Sequence, residues 1–227
     1  MNKPFIIAID GPAGSGKSTT ARTVARELGY IHLDSGAMYR AVTLNVLRQN
    51  IDPNDIELVA RIARETDIRF GWQDDELHVY MNGQNVTQDI RTPRVTNAVA
   101  PVAANPEVRE ILIEKQREWS GVNGVVAEGR DIGTHVFPHA DVKIFMVATL
   151  EERAKRRFLE YREKGIDADL DQIRGNIEER DQQDTHRAAN PLTQADDAIE
   201  LDTSNMTPRQ QVDFILDRVA MTRRAEP

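Results

Sequence analysis

The 227-residue chain carries 37 acidic against 29 basic side chains, a net charge of −8, 40% hydrophobic residues and no cysteine. That length supports a full hydrophobic core in one main domain with room for a small insertion. The acidic balance argues against nucleic acid as the main partner, and the lack of cysteine excludes disulfides and thiolate metal sites.

The first apolar run, Phe5–Ile9, is closed by Asp10. It is too short for a signal-peptide core or a membrane span, so no membrane association and a cytoplasmic location are expected. Residues 4–10 suit a buried parallel strand. Ala21, Val24, Ala25 and Leu28 follow at helical spacing, and Gly29 supplies a helix stop. A second strand over Tyr30–Asp34 leads into a helix starting near Ser35. The pattern then changes. Ile68, Phe70 and Trp72 alternate with polar residues, as do Leu77, Val79 and Met81, and Asn82-Gly83 reads as a hairpin turn before a short strand over Gln84–Thr87. A small antiparallel insert near residues 66–90 is therefore expected.

Asn105-Pro106 marks a helix start, with proline at the first helical position. Val125–Ala127, Val142–Val147 and Ile199–Leu201 are further strand candidates. Thr149 with Glu152, and Thr207 with Gln210, match capping boxes. In the last helix Val212, Ile215, Leu216 and Val219 share a face. This alternation predicts an α/β fold with a parallel sheet flanked by helices and a small antiparallel β insert. The division expected is one domain over 1–227, within which the β insert and following segment at 66–104 and a charged helical region at 151–190 stand apart.

Gly11-Pro12-Ala13-Gly14-Ser15-Gly16-Lys17-Ser18 matches G-x-x-x-x-G-K-[ST] in full, between a predicted strand and a predicted helix. The glycines let backbone N–H groups wrap phosphates, and the helix adds its positive end. Lys17 is expected to reach the β- and γ-phosphates, and the Ser18 hydroxyl to bind Mg²⁺. No Asn-Lys-x-Asp motif for guanine follows. Glu128, at the end of Val125-Val126-Ala127, is a possible water-mediated metal ligand or a purely structural acid. A small-molecule kinase is the expected class.

The arginines near strand ends add to this. Arg40 follows the second strand and Arg130 the third. In a doubly wound sheet ligands gather beyond the carboxyl ends of the strands, and guanidinium forks match phosphate oxygens. Residues 151–190 are dense in charge. Arg153, Arg156 and Arg157 occupy one predicted helix, while Arg180 and Asp184 lie four apart on the next, with Arg187 after them. Two readings stay open for this region, a solvated helix pair laced by salt bridges or a lid that excludes water from the triphosphate.

The sequence resembles the bacterial cytidylate kinases of the nucleoside monophosphate kinase group over nearly its whole length. The resemblance is carried by Ile9–Ser18, Leu33-Asp34-Ser35-Gly36-Ala37-Met38-Tyr39-Arg40 and Gly129-Arg130-Asp131-Ile132-Gly133-Thr134. It continues through Val136-Phe137-Pro138, Glu152–Arg157 and Glu179-Arg180-Asp181. It implies a P-loop NTPase core with an acceptor-binding insert and following segment at 66–104 and a helical lid at 151–190, and γ-phosphoryl transfer from Mg²⁺-bound ATP to CMP or dCMP. By the same resemblance Gly11–Ser18, Thr19 and Arg157 bind ATP, and Lys17, Arg130, Arg180 and Arg187 are catalytic. Ser35, Tyr39, Arg40 and Arg130 would hold the acceptor phosphate, Arg109 and Asp131 the cytosine edge, and Arg180 and Asp184 the pentose hydroxyls, with Arg187 near the phosphates. Cytosine offers an amino donor that a carboxylate accepts, where uracil has an acceptor. Related sequences commonly place a base-contacting serine where this chain has Ala100, so a weaker cytosine preference is expected, with Asn97 a possible substitute contact.

Alternatives are a P-loop kinase for UMP, AMP or a metabolite hydroxyl, and a nucleotide-binding switch without turnover. A monomer is expected. His135 and His139 are not expected to bind metal, since Pro138 breaks any helix between them. Trp72 and Trp119 are expected in the core.

Overall fold

A computed structural model describes residues 4–73, 76–119, 124–163 and 165–225. Its elements in chain order are β1 (Ile6–Asp10), α1 (Lys17–Leu28), β2 (Ile31–Asp34), α2 (Ser35–Arg48), α3 (Ile56–Glu65), β3 (Ile68–Gln73), β4 (Glu76–Met81) and β5 (Gln84–Asn85). There follow α4 (Pro93–Ala104), α5 (Pro106–Glu118), β6 (Val125–Gly129), β7 (Val142–Val147), α6 (Leu150–Glu163), α7 (Leu170–His186), β8 (Ile199–Asp202) and α8 (Pro208–Ala225). The chain divides into two compact units, one of residues 1–32 with 120–227 and one of residues 33–119.

The first unit is built on a sheet of order β2-β6-β1-β7-β8. Strand β1 lies at its centre, parallel to β6 on one side and β7 on the other. Its residues Ile7, Ile9, Val126, Ile144 and Met146 form one apolar layer with Ala21, Val24 and Ala25 of α1 and Val212, Ile215 and Val219 of α8. All of these are buried. The helical face predicted from residues 212–219 is thus the face that packs. Asp10 points to the opposite side of the sheet, because alternate residues of a strand face opposite ways. Helix α1 ends at Gly29, whose φ of 68° is the left-handed conformation that glycine adopts without strain. Thr207 and Gln210 form a reciprocal capping box, with Thr207 N–H donating to Gln210 Oε1 at 2.8 Å and Gln210 N–H to Thr207 Oγ1 at 3.3 Å.

The second unit joins α2, α3, α4 and α5 to the antiparallel sheet β3-β4-β5. Ile68 pairs with Met81 and Trp72 with Leu77 across the first hairpin, and Met81 with Gln84 across the Asn82-Gly83 turn. The third strand is shorter than expected, two residues against four. Trp72 corrects the expectation of a core position, being 42% exposed. Alternation identifies which face a side chain joins, but not how far the layer over that face extends. Cover is complete at Ile68, Val79 and Met81, partial at Leu77 and largely lost at Trp72. Trp119 is half-buried and meets Phe70 edge-on at 5.7 Å. Among the described residues no helix is long and apolar enough to cross a membrane.

Candidate active site

The phosphate loop begins where β1 ends. Gly11, Gly14 and Gly16 have φ of 144°, 79° and 98°, so each needs the freedom that a Cβ removes. At Gly11 space is also lacking, since a Cβ would lie 2.0 Å from the Met146 carbonyl oxygen of β7. Gly16 is the N-cap of α1 and no side chain caps this end, so the helix presents its backbone N–H groups to the loop. Lys17 is buried and donates to Pro12 O at 2.6 Å and Ser15 Oγ at 3.3 Å. Burial, helped by the Arg130 charge, lowers its pKa to about 7.

Ser18 donates its hydroxyl to Glu128 Oε2 at 2.8 Å, and His32 Nε2 lies 3.2 Å from Oε1. Glu128 sits on the α1 side of β6, in register with Ile9. Burial works to raise its pKa, but the His32 contact, the Lys17 charge and the Ser18 bond outweigh it and hold the group ionised. One neutral and one anionic oxygen side by side fit a hard divalent cation. Among the described residues there is no group of three or more His, Cys, Asp or Glu side chains placed to hold a metal ion.

The turn after β6 carries the second group. Arg130 donates its Nε–H to Asp184 Oδ2 at 2.7 Å and an NH1 hydrogen to Gly129 O at 3.3 Å. Arg187 NH1 stands 3.8 Å from Asp184 Oδ1, and its NH2 3.9 Å from Asp131 Oδ1. Two residues of β6's outlet and two from the end of α7 thus form one chain of alternating charge. Burial tends to raise the Asp184 pKa, yet Arg130, Arg180 and Arg187 together bring it below its usual value. Arg180 also acts on Lys17, where its positive charge favours the neutral amine. From Ile132 to Val136 the chain forms one π-helical turn, a local form frequent at functional sites.

Helix α6 supplies contacts that the sequence did not single out. Arg153 is buried and donates to Ala13 O in the phosphate loop at 3.2 Å, to Ala148 O at 3.1 Å and to Asp181 Oδ2 at 2.6 Å. Arg156 donates to the Thr203 carbonyl at 2.5 Å, while Thr203 Oγ1 donates to Ser15 O at 2.9 Å. Arg157, expected at ATP, lies against Glu160 at 3.0 Å and Tyr161 on its own helix. Gln211 of α8 accepts from Thr20 Oγ1 at 2.7 Å. Thr19 is exposed in the first turn of α1.

In the second unit, Ser35 is the buried first residue of α2, where Asp34 caps the helix by accepting from Ala37 N–H at 2.9 Å. Arg109 is 2% exposed, lies over the Tyr39 ring at 5.4 Å and donates to Ala103 O at 3.0 Å. Arg40 donates to Thr96 Oγ1 at 2.9 Å and Ile90 O at 3.3 Å. Ala100 and Asn97 are both exposed on α4, one turn apart.

A phosphate loop on a parallel sheet, with a buried lysine and the Ser18–Glu128 pair at the start of α1, defines a P-loop nucleotide-binding protein. Comparison with known proteins narrows the class. The family model described as cytidylate kinase matches residues 7–221. A Lactobacillus johnsonii relative named cytidylate kinase is 51% identical over 207 residues, 91% of this chain and 90% of that protein. One from Bacillus cereus (strain B4264), named likewise, is 46% identical over 220 residues, covering 97% and 98%. Among solved structures, a gluconokinase from Sinorhizobium meliloti 1021 aligns with a TM-score of 0.48 at 13% identity, over 97% of this chain and 94% of that one. The chain belongs to the cytidylate kinase family.

Proposed function

We propose that this chain transfers the γ-phosphoryl group of ATP to CMP or dCMP, releasing ADP and CDP or dCDP. Beyond family membership, the observation that carries the reading is the Arg130–Asp184–Arg187–Asp131 chain. A protein that only binds one nucleotide through its phosphate loop has no need of a second cluster of largely buried arginines and carboxylates at the outlet of β6.

Transfer is direct and in line. The acceptor phosphate oxygen is the nucleophile and is largely ionised at neutral pH, since its second pKa is about 6, so no strong general base is required. Lys17 and the open end of α1 take the β- and γ-phosphates. Arg130, Arg180 and Arg187 offset the charge spread over the transferring group. Ser35, Tyr39 and Arg40 are assigned to the acceptor phosphate, Asp131 and Arg109 to the cytosine edge, and Asp184 with Arg180 to the pentose. Ser18, with Glu128 behind it, would hold Mg²⁺, which when bound neutralises phosphate charge. Region 151–190 is assigned as the lid, Arg157 included, and Arg153 supports this by tying α6 and α7 to the loop carbonyl of Ala13.

The test is coupled ADP release with Mg·ATP and each of CMP, dCMP, UMP and AMP. Strong stimulation by CMP and dCMP is expected. Stimulation by none of the four would overturn the assignment and leave only a nucleotide-binding loop.

A further inference from the structure

Asp10 closes β1 immediately before the phosphate loop and is 5% exposed. Its Oδ1 accepts the Ile132 N–H at 2.8 Å and its Oδ2 the Gly133 N–H at 2.7 Å. These two donors open the π-helical turn, and the first N–H groups of any helical segment lack partners within it. Asp131 is the N-cap residue of that turn and the local choice for capping, yet its side chain makes no cap bond. Its Oδ1 instead lies 3.9 Å from Arg187. The sequence thus places two carboxylates at one turn and divides their work: Asp10 satisfies the backbone, and Asp131 is turned to the charged chain.

We propose that Asp10 is a positioning residue, which caps the Arg130–Asp131 turn from the neighbouring strand and so fixes the acceptor groups relative to the phosphate loop. The inference rests on the reading of Arg130 and Asp131 as acceptor groups. Gly133 lies close against the carboxylate, where even a Cβ would come only into ordinary contact with Asp10 Oδ2, at 3.4 Å. Strand β1 pairs Asp10 with Gly129 in β6, one residue before Arg130. Cap and strand pairing together bracket Arg130 and Asp131, leaving that dipeptide little freedom. Burial raises the Asp10 pKa to about 6, with the two N–H bonds pulling the other way, so at neutral pH an ionised carboxylate accepts both.

The test compares Asp10→Asn, Asp10→Glu and Asp131→Asn by KM for CMP, kcat, and ATP affinity measured by calorimetry. Asparagine has the shape of aspartate but only one acceptor oxygen, so one backbone N–H loses its partner. Asp10→Asn is expected to raise the CMP KM about tenfold to a hundredfold, because a bond to a charged acceptor is lost, with ATP affinity within about twofold. Asp10→Glu, which keeps both acceptor oxygens but sets them one methylene further out, is expected to shift the CMP KM in the same direction by less. It also decides the matter if Asp10→Asn does not fold. An unchanged CMP KM in both variants, or an equal loss of ATP and CMP affinity, overturns the positioning role. If Asp131→Asn has meanwhile raised the CMP KM, the acceptor reading survives that result. If Asp131→Asn is also silent, both fall.

Discussion

Ser18 gives its hydroxyl hydrogen to Glu128 Oε2 at 2.8 Å, which turns the lone pairs of the serine oxygen away from the carboxylate. A metal ion approaching Ser18 therefore meets an acceptor already oriented, backed by a negative charge that His32 and Lys17 keep ionised. Replacing Glu128 by glutamine keeps the shape and removes the charge. Partners behind a metal ligand typically contribute about 10- to 100-fold in metal affinity or activity. Glu128→Gln is expected to raise the Mg²⁺ concentration for half-maximal rate and of Mg²⁺-dependent ATP binding by about that factor. Mg²⁺ titrations of both quantities check it, and an unchanged requirement would make Glu128 a purely structural acid.

Lys17→Met should lose nearly all turnover, on the order of a thousandfold, while remaining folded. Among the described residues the buried ammonium donates to Pro12 O and Ser15 Oγ and to no carboxylate. Methionine removes a charge that burial disfavours, so the melting temperature is expected to stay level or rise by a few degrees. Retained turnover would contradict the role given to the lysine.

The same lysine predicts a proton linkage. Its pKa of about 7 lies far below the ordinary 10.5. Bound triphosphate favours the ammonium form and raises that value. ATP binding should then take up close to one proton per site near pH 8 and almost none near pH 6, so the Lys17 contribution weakens affinity as pH rises above about 7. Calorimetry in two buffers of different ionisation enthalpy reads this directly. Identical heats at pH 8 would sink the prediction.

Asp184 supports the fold as well as the site. Its pKa is lowered from 3.8 in the folded protein, so the stability it contributes is fully present above that value and is lost as pH falls through the folded one. Asp184→Asn leaves Arg130 without its charged partner and should cost about 1–3 kcal/mol at pH 7. The difference from the parent protein should narrow as pH falls through the lowered folded pKa of Asp184, where its carboxylate takes up a proton. Denaturation curves at a series of pH values from 7 downward test both statements.

Ala100 bears on base choice. If the acceptor reading holds, Ala100→Ser adds one hydrogen bond that cytosine can use. One such bond contributes about 0.5–1.5 kcal/mol, so the CMP-to-UMP ratio of kcat/KM should rise about 2- to 12-fold. No change in the ratio would mean that position 100 does not read the base.

What could be read in the sequence was what local rules govern. The phosphate loop, the Asn82-Gly83 turn, the Thr207–Gln210 box and the face of α8 each depend on residues close in the chain. The bond between Asp10 and the Ile132 N–H spans 122 positions, and no local rule reaches so far. Arg153 and Arg157 were equally eligible to meet the phosphate loop, because residues four apart share a helix face. Only the packing of α6 shows that Arg153 touches the loop while Arg157 turns to Glu160. Trp72 failed for a similar reason: alternation gives the side of a sheet but not the reach of its cover.

The closeness of Gly11 to the Met146 carbonyl has a kinetic side. With 2.0 Å between that oxygen and the position of a Cβ, the first turn of the loop is wedged against a central strand and has no slack to relax into another shape. The entropy of shaping the cradle is then incurred while the chain folds, rather than afresh at every encounter with ATP. Such a loop can take up a triphosphate and give back a diphosphate many times over without being rebuilt between rounds.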